Sequence, residues 1–233
     1  MPRLTPIRIP EGITEIRDGT FAKCTSLESV TIPGNVKAIN GFKGCTSLKS
    51  VVIPEGVEEI GDAFAGCTSL ASVTIPNSVT KIGGGAFANC TSLEGISIPD
   101  SVNEIGTYAF SGSGLKTVTI PKGVKKISRE MFNECTSLES VTLMRGVAEI
   151  GYRAFWGCKS LKSVSVPRSV TKIGDGAFFI RNNLDVQFDD LTVQFDGTKT
   201  QWEAIKKEGS WFVGNIGTFA VKCTDGEFGA KGW

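Results

Sequence analysis

Cysteine carries the strongest chemical signal in this chain. Six of its seven cysteines, Cys24, Cys45, Cys67, Cys90, Cys135 and Cys158, recur at near-regular intervals, and thiolates serve as zinc ligands, disulfide partners or nucleophiles. Regular spacing argues against the first two roles. A zinc site needs ligands that converge tetrahedrally on one point, whereas equivalent positions of a repeat aim every sulfur the same way. Side chains that run parallel are also poorly placed for the near-perpendicular torsion of a disulfide. These thiols are therefore expected to form an internal column, free and packed as small apolar groups. Cys223 stands outside the column and is the candidate for a reactive thiol.

The chain has no histidine, which removes the commonest general base, metal ligand and triad partner. Catalysis would have to rest on a carboxylate pair or a serine with a lysine, and no spacing singles one out. The expectation is a protein that is not an enzyme, with no metal and no cofactor. The 25 basic and 24 acidic side chains nearly cancel, so no general attraction to nucleic acid or anionic lipid follows and a partner must be recognised locally. Met1-Pro2-Arg3-Leu4-Thr5-Pro6 carries no apolar leader region, and no stretch approaches ~18 uninterrupted apolar residues, so membrane insertion is not expected. The compartment stays open between a cytosolic protein and one whose leader has been removed.

A repeat positions the thiols. An apolar strand ending in proline, "SVTIP" at Ser29 to Pro33 and again at Ser72 to Pro76, recurs with a period of roughly 22 residues. Pro10, Pro33, Pro54, Pro76, Pro99, Pro121 and Pro167 mark it, with Met144 in the remaining slot, and about eight coils of 22–23 residues fit. Each coil carries one inward set, such as Leu27, Val30, Ile32, Val36, Ile39 and Phe42, or Leu138, Val141, Leu143, Val147, Ile150 and Phe155. Val30 and Ile32 share one strand face while Ser29 and Thr31 point away. Glycine after the second isoleucine (Gly61, Gly83, Gly106, Gly151, Gly174) is expected to supply permissive dihedrals at a tight bend. A single coil cannot bury its own edges, so neighbouring coils must stack into a parallel sheet. Two ranks of side chains alternate in sign along the stack: Glu59, Lys81, Glu104, Lys126, Glu149 and Lys172 before the second isoleucine, and Glu94, Lys116, Glu139 and Lys162 after the leucine. Strands roughly 5 Å apart turn that alternation into weak attraction, a structural role.

The unit of leucine, valine, isoleucine and proline, followed by isoleucine-glycine, alanine-phenylalanine and cysteine, resembles the BspA-like (treponemal) class of bacterial leucine-rich repeats. Alanine-phenylalanine stands at 63–64, 86–87, 109–110, 154–155 and 177–178, and "CTSL" at 24–27, 45–48, 67–70, 90–93 and 135–138. The resemblance covers about residues 4 to 187. Thr20, Gly41 and Met131 depart from the alanine, Ser113 from the cysteine, and the turn at Gly112-Ser113-Gly114-Leu115 is shortened. It implies a right-handed solenoid with its parallel sheet on the concave face, and a binding or adhesion scaffold without catalytic residues. It also implies a bacterial surface or secreted setting and a protein or glycan partner such as a host surface component. The site and not the fold decides the ligand.

Residues 1–187 thus form the repeat domain, and 188–233 read as a small α+β C-terminal cap over the end of the sheet. The cap is expected to contain a strand at Thr192 to Phe195, a helix from about Thr200 to Lys207 with Trp202 and Ile205 on one face, and a strand at Thr218 to Cys223. No N-terminal counterpart is visible. The strand around Ile7 and Ile9 would be an open edge, and the alternative to a binding module is a structural repeat that self-associates into a homo-oligomer through this first coil.

Two surfaces are candidates for binding. On the strand face Ser72, Thr74, Ser97, Thr117, Thr119, Ser140, Thr142, Ser163 and Ser165 make a small, uncharged, hydroxyl-rich surface. Short and β-branched residues suit any exposed sheet, and they equally suit a shallow face for a peptide, loop or glycan. After the ladder phenylalanine, Lys43, Ala65, Ala88, Ser111 and Asn133 give way to Trp156 and Phe179, with Tyr152 nearby. These aromatics are either an exposed anchor patch or the seat on which the cap folds back.

Overall fold

The computed structural model describes residues 7–179, 190–212 and 219–228. Its coils stack through two parallel strand ladders, one on each side of the core. The first ladder runs through Ile7–Arg8, Val30–Thr31, Ser50–Val52, Ser72–Thr74, Thr117–Ile120, Ser140–Leu143 and Ser163–Pro167, with its strand pairing interrupted between Val30–Thr31 and Ser50–Val52. The second uses the short segments Glu15–Ile16, Ala38–Ile39, Glu59–Ile60, Lys81–Ile82, Glu104–Ile105, Lys126–Ile127, Glu149–Ile150 and Lys172–Ile173. Between the ladders lies the core, with Phe42, Phe64, Phe87, Phe110, Phe132, Phe155 and Phe178 all fully buried. Consecutive rings stack nearly parallel, their centroids 5.3–5.7 Å apart from Phe42 onward. A third set of inter-coil bonds accompanies the rings: from Phe42 to Phe155 each phenylalanine N–H donates to the carbonyl of the alanine-slot residue in the next coil, as Phe64 does to Ala86 and Phe110 to Met131, and Phe178 donates to Trp211 of the tail.

The proline that ends each first-ladder strand also starts the next turn. Its carbonyl accepts from the valine three residues on, as Pro33 does from Val36 and Pro121 from Val124, and Met144 does the same for Val147. The glycines after the second isoleucine are needed for a reason other than the expected one. None of Gly61, Gly83, Gly106, Gly151 and Gly174 has a positive φ. A Cβ at Gly174 would instead lie 2.7 Å from the Tyr152 nitrogen, and one at Gly151 2.6 Å from the Ile127 oxygen. At Gly83, Gly106, Gly151 and Gly174 glycine is there because neighbouring coils touch backbone to backbone, and at Gly61 because the Asn40 side chain fills the space. Backbone crowding also explains Gly41 in the alanine slot, where a Cβ would meet the Arg17 carbonyl oxygen at 2.9 Å.

Left-handed backbone is concentrated two residues before and two residues after the ladder phenylalanine. Gly19, Gly85 and Gly176 hold the first slot, and Gly44, Gly66, Gly112 and Gly157 the second. Tyr108, Glu130 and Arg153 adopt the same φ in the first slot, and Lys23, Asn89 and Glu134 in the second.

Coil five breaks the pattern. Residues 94–98 form no strand, Ile96 and Ile98 are only half-buried, and Ser72–Thr74 is not bonded to Thr117–Ile120. Gly95 occupies a slot filled elsewhere by serine or threonine, and it has neither a side chain to pack along the ladder nor conformational restraint. The second ladder also divides there, between Glu104–Ile105 and Lys126–Ile127.

The tail continues the ladders instead of only covering them. Leu191–Asp196 pairs in parallel with Ser163–Pro167, and Phe219–Cys223 pairs with Leu191–Asp196. Lys206–Lys207 joins the second ladder beside Lys172–Ile173. The helix is shorter than predicted, Lys199–Glu203, capped by Thr198 and Gln201, because Lys206 and Lys207 are drawn into that ladder. Among the described strands only Gly226–Phe228 runs antiparallel, turning the sheet edge back on itself. The expected boundary at 187 lies outside the described residues, as does Thr218.

Candidate binding surfaces

The thiol column forms from Cys45 onward, with its sulfurs bonded to the fold, while Cys24 in the first coil is only half-buried. Cys45, Cys67, Cys90, Cys135 and Cys158 are buried and free, and each donates to the carbonyl of a ladder phenylalanine in the preceding coil, as Cys67 does to Phe42 at 3.1 Å and Cys135 to Phe110 at 2.9 Å. Burial pushes the Cys90 thiol up to about 12 and Cys135 to about 11. Cys223 does not show an activated thiol. Burial and the neighbouring Asp225 raise its pKa, which disfavours the nucleophilic thiolate.

The charge ranks become ion pairs. Lys81 lies 3.2 Å from Glu59 and 4.0 Å from Glu104, Lys126 lies 3.1 Å from Glu149, and Lys172 bridges Glu149 and Glu208 at 3.3 Å each. In the other rank Lys116 reaches Glu94 at 2.7 Å. These charges hold coils in register and are not free to recruit a ligand.

The hydroxyl face differs from the serine rank that follows the ladder proline. Thr117, Ser140, Ser163 and Thr192 stand opposite one another, as do Thr119, Thr142, Ser165 and Gln194. Ser72 and Thr74 align with Ser50 and Val52 in the earlier ladder, while Ser97 falls in the strandless coil five. Ser78, Ser101 and Ser169 donate at 2.7 Å to carbonyls of the preceding coil. The hydroxyls at 72, 74, 97, 117, 119, 140, 142, 163 and 165 make no such bond among the described residues and are exposed or half-buried. Sequence reasoning missed Thr192 and Gln194, although Thr192 begins a strand it did place.

The aromatic candidates converge on another side of the coils, between the second ladder and the phenylalanine column. Trp156 and Phe179 stack with centroids 4.0 Å apart and planes 8° apart, both half-buried. The Arg153 guanidinium lies 4.1 Å from the Trp156 ring centroid and 4.8 Å from that of Tyr152, whose ring also carries Arg129 at 5.0 Å. Arg129 is bound at 3.0 Å to the buried Glu130, and hydrogen bonding to Glu130 pushes the Tyr108 phenol above its ordinary value. Tyr108, Glu130 and Arg153 thus succeed one another in the left-handed slot that other coils give to glycine, each at a cost of roughly 1–2 kcal/mol. Arg153 carried no signal in the sequence, because its slot shows no pattern until its φ is known. The cap's rings, Phe195, Trp202, Trp211 and Phe219, form a cluster of their own that meets the column at Phe178.

Two strand ladders flanking a ring column, repeated coil after coil, define a leucine-rich repeat solenoid. The BspA-type leucine-rich repeat region matches residues 1–63 and 61–185 in six copies, and the chain belongs to that family. Among solved structures it is similar to the T. pallidum leucine-rich repeat protein, with 35% identity and a TM-score of 0.55 over 63% of this chain and 72% of that one. The pneumococcal vaccine antigen PcpA shares the fold at 20% identity and a TM-score of 0.55, over 93% of this chain and 62% of PcpA. A leucine-rich cell surface protein from Faecalibacterium prausnitzii aligns at 25% identity with a TM-score of 0.42, over 87% of this chain and 82% of that one. No curated protein matches the sequence. Repeat proteins of this family are generally protein-binding or adhesion-like and typically non-enzymatic.

Proposed function

We propose that this chain is a non-catalytic binding module that recognises a protein ligand through the hydroxyl face of its first ladder. One observation carries the reading: the hydroxyls of this face are unspent and aligned strand by strand in two parallel rows, whereas Ser78, Ser101 and Ser169 of the following turn are bonded to the preceding coil. A flat ladder of short polar groups lets a peptide or loop approach the sheet closely and exchange its water for many small contacts. A host surface component fits this scheme as the ligand.

The test is capture from a panel of extracellular-matrix, mucin and cell-surface proteins by the native chain and by a variant carrying Thr119→Lys and Thr142→Lys. These positions are solvent-facing, so the variant is expected to melt within a few degrees of the parent while losing capture. Equal capture by both chains would exclude the hydroxyl face as the binding surface.

A further inference from the structure

Arg153 is fixed in place without being neutralised. Arg129, one coil earlier, spends its charge on Glu130. Among the described residues Arg153 has no carboxylate within ion-pair reach, and its guanidinium is held between the Tyr152 and Trp156 rings. Its Nε is buried without an acceptor. Neither terminal nitrogen is buried in that way, so these two form the fork presented to solvent. Clamping by rings sets the plane of the fork before any ligand arrives, which lowers the ordering cost of a bidentate contact. The backbone also bears strain here that the equivalent glycines at 85 and 176 avoid, and retained strain clusters at binding sites.

The geometry points to a carboxylate-binding site at Arg153, which takes a glutamate or aspartate side chain of a polypeptide whose apolar neighbours pack on the exposed edges of Trp156 and Phe179. A sugar ring is the weaker fit. Arg153 at 4.1 Å and Phe179 at 4.0 Å from the Trp156 centroid must lie on opposite faces of the indole, so neither face is free for stacking. A polysulfated glycan would call for clustered unpaired cations, and the neighbouring arginine is already neutralised. The site lies away from the hydroxyl face and does not depend on that face binding anything.

The experiment follows the side-chain N–H resonances of Arg153 and Trp156 in the nitrogen-labelled chain. The probes are an acetylated peptide amide with one glutamate between two leucines, its glutamine counterpart, and a heparin tetrasaccharide. The glutamate peptide is expected to shift both resonances, and the glutamine peptide to bind at least ~10-fold more weakly, as loss of a charge-assisted bidentate pair requires. Arg153→Gly installs the residue found in this slot elsewhere, so it is expected to fold and to bind both peptides equally poorly. Should that variant fail to fold, Arg153→Lys keeps the charge but loses the fork and is expected to weaken the glutamate peptide by at least ~5-fold. Equal affinity for the two peptides, undiminished binding by either variant, no shift with any probe, or shifts with heparin alone would each overturn the assignment, the last in favour of an anionic glycan.

Discussion

Gly83 lies so close to Gly61 of the preceding coil that a Cβ on it would sit 2.9 Å from the Gly61 Cα and 3.1 Å from its carbonyl carbon. Backbone cannot give way there as a flexible side chain can. Gly83→Ala is therefore expected to cost about 2–3 kcal/mol through overpacking. Gly95 is the converse case, with open space where its Cβ would go and no left-handed φ. Gly95→Thr should stabilise by about 0.5–1 kcal/mol by restraining the unfolded chain and supplying the missing ladder side chain. Urea melts of the two variants check both signs, and a harmless Gly83→Ala would contradict the close approach.

These glycines show what could be read in advance and what could not. The repeat, the inward set, the thiol column and the alternating charges follow from periodicity, because each coil states the same constraint again. Periodicity could also mark Gly61, Gly83 and Gly174 as special, but it gave the wrong reason, since close approach and left-handed backbone both select glycine. The tail was legible only as separate elements: Lys206 reads as helical by local pattern, and its pairing with Lys172 is a tertiary effect. In the aromatic patch, Trp156 and Phe179 stood out against small residues in earlier coils. Arg153 did not, because nothing local distinguishes a clamped arginine from a solvated one.

The thiol column makes stability depend on alkaline pH. An unfolded thiol ionises near ~8.5, whereas burial holds the Cys135 proton to about 11 and the Cys90 proton to about 12. Between those values the unfolded chain has released protons that the folded chain keeps, so stability is complete below pH ~8.5 and falls as pH rises, by about 1.4 kcal/mol per pH unit per thiol. Urea unfolding at pH 8 and pH 10 should show the parent losing about 4 kcal/mol more than a Cys90→Ala, Cys135→Ala variant over that interval. Identical pH slopes would mean that these thiols do not titrate with unfolding.

Lys81 stands between Glu59 and Glu104 in the second ladder. Lys81→Glu converts two weak attractions into two repulsions and is expected to cost about 1–2 kcal/mol at low ionic strength. Most of that should return in about 1 M salt, where screening acts within a few ångströms. A loss that persists in salt would show that the lysine stem contributes by packing and not by charge.

Trp202 ties the tail to the repeat. Its side chain is fully buried against Phe195 and Trp211, and the strand leading to it, Leu191–Asp196, pairs along all five residues of Ser163–Pro167. Removing the ring in Trp202→Ala should cost about 3–5 kcal/mol. In a stack held by nearest-neighbour interfaces, that loss spreads from coil to coil and stops where the interfaces are interrupted. Both ladders are interrupted around coil five. Hydrogen exchange should therefore accelerate in Ser163–Pro167 and Ser140–Leu143, while Ser50–Val52 and Ser72–Thr74 keep their protection. Acceleration confined to the tail would make residues beyond the eighth coil a separate folding unit, and uniform acceleration would mean that the continuous phenylalanine stack couples the two halves despite the broken ladders.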